Sequence, residues 1–191
     1  MAAGHAKIEH GGEMTSAVGA KTHKFETGGA DGTIRAGHEI AKLLAPPQFL
    51  ILRGDLGSGK TTLVKGIAEA LDAADADEVT SPTFTLIHEY EGTRDGQTVS
   101  LYHLDLYRIE SERQLETLGL DDLMGADCIV LVEWGEKFPS VVKRSNGEIV
   151  IESTGGDSRR ITLTFREVPT GDNPPKPAGD HPPKGGEKNH S

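Results

Sequence analysis

The chain has 191 residues and a formal net charge of −10, enough for one α/β domain with a sizeable core and too little for two. The acidic balance excludes broad, sequence-independent binding of nucleic acid, which needs clustered Lys and Arg to displace counterions. Cys128 is the single cysteine, which excludes an internal disulfide framework. No apolar stretch is as long as a signal peptide or membrane span, so a cytoplasmic location is expected.

Residues 1–23 are poor in apolar groups and are expected to be a disordered extension of a domain spanning 24–167. Within the domain, a strand is predicted near Lys24–Thr27, then a helix over Thr33–Leu44 with Asp31 or Thr33 as its cap. The apolar run Gln48–Arg53 reads as a buried strand, and Thr61–Leu71 has helical spacing. Between them Gly54–Thr61 reads G-D-L-G-S-G-K-T, a complete phosphate-binding loop in the strand, turn, helix context it requires. Gly57 and Gly59 free the backbone to aim successive N–H groups inward, and the following helix adds its positive end. Lys60 would reach the β- and γ-phosphates of a nucleotide, the Thr61 hydroxyl would bind the Mg²⁺ that a triphosphate brings, and Thr62 would touch the α-phosphate. Asp55 is the odd member, since an acid beside phosphates is repelled unless it turns away or accepts a proton or a metal-bound water.

The acidic segment 72–83 is loop-like and ends in S-P-T, where Pro82 fixes the backbone before Thr83. That suits a switch sensing the terminal phosphate through a hydroxyl. Phe84–Glu91 and Thr98–Tyr107 read as an antiparallel hairpin. Asp105 in its second strand faces opposite to Leu104 and Leu106, toward solvent or toward a nucleotide. Ser111 with Gln114 resembles a capping box for a helix to Leu118, stopped by Gly119. Cys128–Val132 is a wholly apolar strand that delivers Glu133 where such enzymes place a carboxylate to hold Mg²⁺ or orient water; aspartate is the usual residue. Trp134 follows, the only tryptophan, either stacked on a purine or packed in the core. Glu148–Ser153 and Arg160–Arg166 form a second hairpin. Beyond Val168 the sequence holds six of the ten prolines and no large apolar residue, so 168–191 is expected to be a disordered tail. His5, His10, His23, His181 and His190 lie toward the ends, and no metal-ligand spacing emerges.

These elements predict an α/β fold: a single P-loop NTPase-like domain flanked by helices. Its mixed central sheet would have parallel strands bearing the phosphate loop and the Walker B-like acid, plus antiparallel hairpins.

In order and spacing, GDLGSGKTTLVKGIAEAL, SPTFTLIHEY, YHLDLYRIES, LETLGLDDLM and LVEWGEK resemble the TsaE family over roughly Phe25–Arg166. These are small bacterial ATPases needed for threonylcarbamoyladenosine at position 37 of tRNAs that read codons starting with A. The resemblance implies that Leu56, Gly57, Ser58, Gly59, Lys60 and Thr61 wrap the phosphates of ATP, that Thr61 and Glu133 hold Mg²⁺, and that Trp134 lies against the adenine. It gives Asp105 and the switch residue Thr83 roles in hydrolysis, brings Thr33 near the nucleotide, and matches Arg160 to an arginine of the last hairpin. The implied partners are TsaD and TsaB, with TsaC in the same pathway and tRNA reached only through the complex. Two other readings of the residues are a small-molecule kinase and a nucleotide-dependent binding module without significant turnover.

Overall fold

A computed structural model describes residues 7–9, as backbone, and 20–166. Most of the expected N-terminal extension and the whole of the expected tail lie outside the described residues. Strand β1 (Lys7–Glu9) pairs antiparallel with β2 (Lys21–Gly28), which begins upstream of the predicted Lys24. Next come α1 (Gly29–Ala41), β3 (Gln48–Arg53), α2 (Lys60–Ala70), β4 (Ile87–Arg94) and β5 (Gln97–Asp105). The rest comprises α3 (Glu112–Glu116), β6 (Cys128–Glu133), α4 (Pro139–Arg144), β7 (Gly147–Gly155) and β8 (Ser158–Phe165).

The strands form one eight-stranded sheet in the order β1-β2-β8-β7-β3-β6-β5-β4. Four central strands, β7, β3, β6 and β5, run parallel, and antiparallel pairs extend both flanks. The predicted mixed sheet is therefore the observed one. Strand alternation sorts the core into two layers. Leu50 and Leu52 of β3, Ile129 and Leu131 of β6, and Val99 and Leu101 of β5 face α1 and α2. Phe49, Ile51, Val130, Val132 and Leu104 face the layer with Leu115 of α3, Val141 of α4 and Leu120 of the short 3-10 turn Leu120–Leu123. Since β3 and β6 are covered on both faces, they read as continuous apolar runs.

Three local differences have physical causes. Helix α1 starts at Gly29 instead of Thr33, with no side-chain cap, and the Thr33 hydroxyl donates to the Gly29 carbonyl at 3.2 Å from inside the first turn. Neither Asp31 nor Thr33 is the cap, because the glycine pair Gly28–Gly29 makes the sharp entry from β2. Strand β4 begins at Ile87 instead of Phe84: Leu86 has φ 68°, and its N–H closes a turn on the Pro82 carbonyl at 2.7 Å. The β4–β5 connection is the two-residue turn Asp95–Gly96, both at positive φ, the geometry for which Asp-Gly is suited. Ser111 caps α3 as expected, accepting from the Gln114 N–H at 3.3 Å.

Cys128 is buried at the start of β6, and burial pushes its thiol pKa up, with Asp127 adding to the effect. Alkylation near neutral pH is expected to be on the order of ten-fold or more slower in the native protein than in denaturant. Mass spectrometry of timed samples checks this, and equal rates would place Cys128 outside the core.

Candidate functional site

Strand β3 ends at Arg53, and the glycine loop Gly54–Thr61 turns from it into α2. Gly54, Gly57 and Gly59 all have positive φ, 152°, 76° and 109°. Gly54 is also required sterically, since a Cβ there would stand 2.5 Å from Ser58 Oγ and 2.7 Å from the Ile151 carbonyl. A Cβ on Gly57 would meet nothing within 4 Å, so the loop is open above it. Leu56 is 91 % exposed at the crown of the loop, Asp55 turns outward to solvent, and the Ser58 hydroxyl is buried with no partner. Thr61 and Thr62, both half-buried, occupy the first turn of α2.

Lys60 is buried, its ammonium donating to the carbonyls of Gly54 at 2.9 Å and Asp55 at 3.1 Å. The third neighbour is Glu133 Oε2 at 3.6 Å. The parallel register of β5 on β6 sets Asp105 directly beside Glu133, so the ends of both strands deliver carboxylates next to the loop. Both are buried, and each is held differently. Asp105 Oδ2 accepts from the Thr83 hydroxyl at 2.8 Å, and its Oδ1 accepts from the Tyr107 N–H at 2.9 Å. Glu133 Oε1 pairs with Nε2 of His103 at 2.9 Å. Asp105 is therefore a buried, hydrogen-bonded group beside Glu133 and not a solvated one.

Two further expected site residues, Trp134 and Arg160, lie in different surroundings. The Trp134 ring centroid lies 5.1 Å from the Lys60 ammonium and 5.2 Å from the Tyr107 ring, at φ 62° after β6. The ring therefore lies beside the Lys60 ammonium at the end of β6, in contact with Tyr107. Lys137 fixes this corner, donating to the carbonyls of Leu106, Tyr107 and Ile109 at 3.3, 2.9 and 3.0 Å. Arg160 is turned away from the loop and pairs with Glu26 at 2.6 Å, a carboxylate that raises its pKa further. Its neighbour Arg159 instead reaches the glycine loop, Nε donating to the Ser58 carbonyl at 3.0 Å. Alternation along β8 puts 159, 161 and 163 on the α1/α2 face and 160 on the other, so a one-residue difference decides the contact. Thr33 lies beside the glycine loop: it is buried next to Thr27, and its Cγ2 is 3.7 Å from where a Cβ on Gly59 would stand.

Sequence reasoning missed His103 and Arg159. His103 could have been found from the motif YHLDLYR, where it lies two residues before Asp105 on the same face of β5.

The profile of threonylcarbamoyl adenosine biosynthesis protein TsaE matches residues 28–161. The chain belongs to the TsaE family. The TsaE of Bacillus subtilis is 45 % identical over 129 residues, which cover 65 % of this chain and 77 % of that protein. The TsaE of Treponema pallidum is 33 % identical over 134 residues, 70 % of this chain and 94 % of its own length. Both are tRNA threonylcarbamoyladenosine biosynthesis proteins by name. Among solved structures, YdiB of Bacillus subtilis superposes with a TM-score of 0.57 at 33 % identity, covering 79 % of this chain and 90 % of that one. The TsaE match contains every site residue named above, from Thr33 to Arg160. Among the described residues no helix is long and apolar enough to cross a membrane.

Proposed function

We propose that this TsaE-family protein is a Mg²⁺-dependent ATPase that serves tRNA threonylcarbamoyladenosine formation by acting on the TsaD and TsaB pair. The observation that carries the reading is the convergence of Lys60, Glu133 and the Thr83–Asp105 pair on one end of a glycine loop. The residues fit the ligands. A run of positive-φ glycines and the unpartnered, buried Ser58 hydroxyl make a cradle for phosphate oxygens. The Thr61 hydroxyl and Glu133 carboxylate are hard oxygen donors, and Mg²⁺ typically takes only one or two protein ligands beside phosphate and water. When bound, the ion would neutralise charge on the β- and γ-phosphates.

In this mechanism the loop amides and Lys60 bind the terminal phosphates and stabilise charge as water attacks the γ-phosphate in line. Glu133 and the Thr61 hydroxyl would be the protein groups that hold the ion. Asp105 holds the Thr83 hydroxyl in place, and the two together orient the attacking water. Arg159 spends Nε and Nη1 on backbone and Ser153 oxygens of the protein. With that guanidinium so committed, turnover of the isolated chain is slow and rises with partners. Phe84, 82 % exposed beside Thr83, supports a second reading in which bound ATP orders a docking face and turnover is incidental.

The deciding experiment is tRNA threonylcarbamoylation reconstituted with TsaC, TsaD and TsaB over many turnovers, with and without this protein. A normal first round that stalls in its absence is expected. Identical progress at every round would remove the assignment.

A further inference from the structure

We infer that His103 is a positioning residue that commits Glu133 to present a single carboxylate oxygen to the phosphate end of the loop. The inference rests on the ATPase reading above and adds a residue to it. His103 is fully buried on β5, and its Nε2 lies 2.9 Å from Glu133 Oε1. A carboxylate only accepts, so Nε2 carries the proton and donates. Nδ1 is buried with no partner, which is tolerable for a bare lone pair and costly for an N–H. The ring is therefore the Nε2–H tautomer, oriented for Glu133 alone.

The geometry has a chemical reason. A glutamate replaces the usual aspartate at the end of β6, and it has one more rotatable bond between backbone and carboxylate. Left to itself it could offer either oxygen, or both. His103 takes Oε1, which leaves Oε2 as the oxygen 3.6 Å from Lys60. The pairing is diagonal across two parallel strands: His103 is in register with Leu131 and Asp105 with Glu133. Only a side chain long enough to reach one step along the sheet, with its donor at the far end, can make it. Partners of this kind behind a metal-binding carboxylate are typically worth about 10- to 100-fold in affinity or activity.

The test compares His103→Leu, which fills the space without a donor, with His103→Gln, whose amide N–H can replace Nε2–H. Nucleotide binding is followed by the fluorescence of Trp134, the only tryptophan, which lies beside Lys60. In His103→Leu, ATP binding without Mg²⁺ is expected to match wild type, while the tightening on adding Mg²⁺ and the hydrolysis rate both fall about 10- to 100-fold. His103→Gln should recover most of both. In a Glu133→Asp background, where the shorter acid cannot reach the ring, His103→Leu should have little further effect. A ¹⁵N NMR measurement of the wild-type imidazole needs no variant and should report the Nε2–H tautomer. The Nδ1–H tautomer, equal loss in the Leu and Gln variants, or a wild-type Mg²⁺ response in His103→Leu would each overturn the inference. Failure of wild-type protein to bind ATP at all would instead remove the ATPase reading.

Discussion

Lys60→Ala is expected to lose ATP binding and to lower hydrolysis by about 100-fold or more, the scale on which a single preorganised donor at developing charge contributes. The expectation follows from where the side chain of Lys60 sits. Its ammonium is buried between two loop carbonyls, Glu133 and the face of Trp134, and Arg159 is turned onto the Ser58 carbonyl. Removing it takes away the phosphate contact and leaves Glu133 buried without its cation, which itself costs stability. Glu133→Gln provides the contrast. It keeps an oxygen for His103 and removes the negative charge, so ATP should still bind while hydrolysis fails. Titration of Trp134 fluorescence against single-turnover ADP release separates the two variants. If the proposed docking face depends on bound ATP, only Glu133→Gln should retain partner binding. Equal binding of ATP by Lys60→Ala and wild type would show that the loop does not work as proposed.

Gly66→Ala is expected to cost about 3 kcal/mol of stability and about 10 °C in melting temperature, although neither glycine of the contact touches the site. Helices α1 and α2 cross with backbone against backbone. A Cβ on Gly66 would overlap the Ile34 carbonyl oxygen and stand 2.8 Å from its carbon, and one on Gly37 would stand 2.5 Å from the Leu63 carbonyl. Alanine is favoured over glycine within a helix by about 1 kcal/mol, which acts in the opposite direction. The clash wins because the atoms in the way belong to the backbone of a helix packed on the core, which cannot rotate aside. Thermal melts by circular dichroism measure the effect, and a midpoint within a degree of wild type would mean the helices part freely.

Much of this was legible in the chain. The apolar runs Phe49–Leu52 of β3 and Cys128–Val132 of β6, the helical spacing of α2 and the two hairpins all carry local signals, and those elements fix the sheet and the glycine loop. The signals fail where a residue's role depends on a neighbour distant in sequence. Thr33 looks like a cap from its chemistry and lies inside the helix because Gly28 and Gly29 make the turn. Phe84 looks like the start of a strand and is exposed because Thr83 is drawn to Asp105. Arg159 and Arg160 are indistinguishable by type, and only the pairing of β8 with β2 and β7 assigns one to the loop and the other to Glu26. YHLDLYR places His103 on the face of Asp105, but only the pairing of β5 with β6 brings it to Glu133.

The glycine crossing of α1 and α2 also fixes where compliance resides. Where Gly37 meets Gly66 there is no side chain to slide or repack, and His38 of α1 pairs with Glu69 of α2 at 3.0 Å, so the two helices hold Thr33 and the loop between them in one packed unit. By contrast, Ser81–Leu86 is held to the opposite wall at Asp105, whose carboxylate accepts from the Thr83 hydroxyl and whose N–H donates to the Leu86 carbonyl at 3.0 Å, while exposed Phe84 has the Arg108 guanidinium over its ring. In the proposed switch, charge arriving at the end of the loop nearest Lys60 would act on Thr83 and Asp105, and through them on the exposed ring of Phe84.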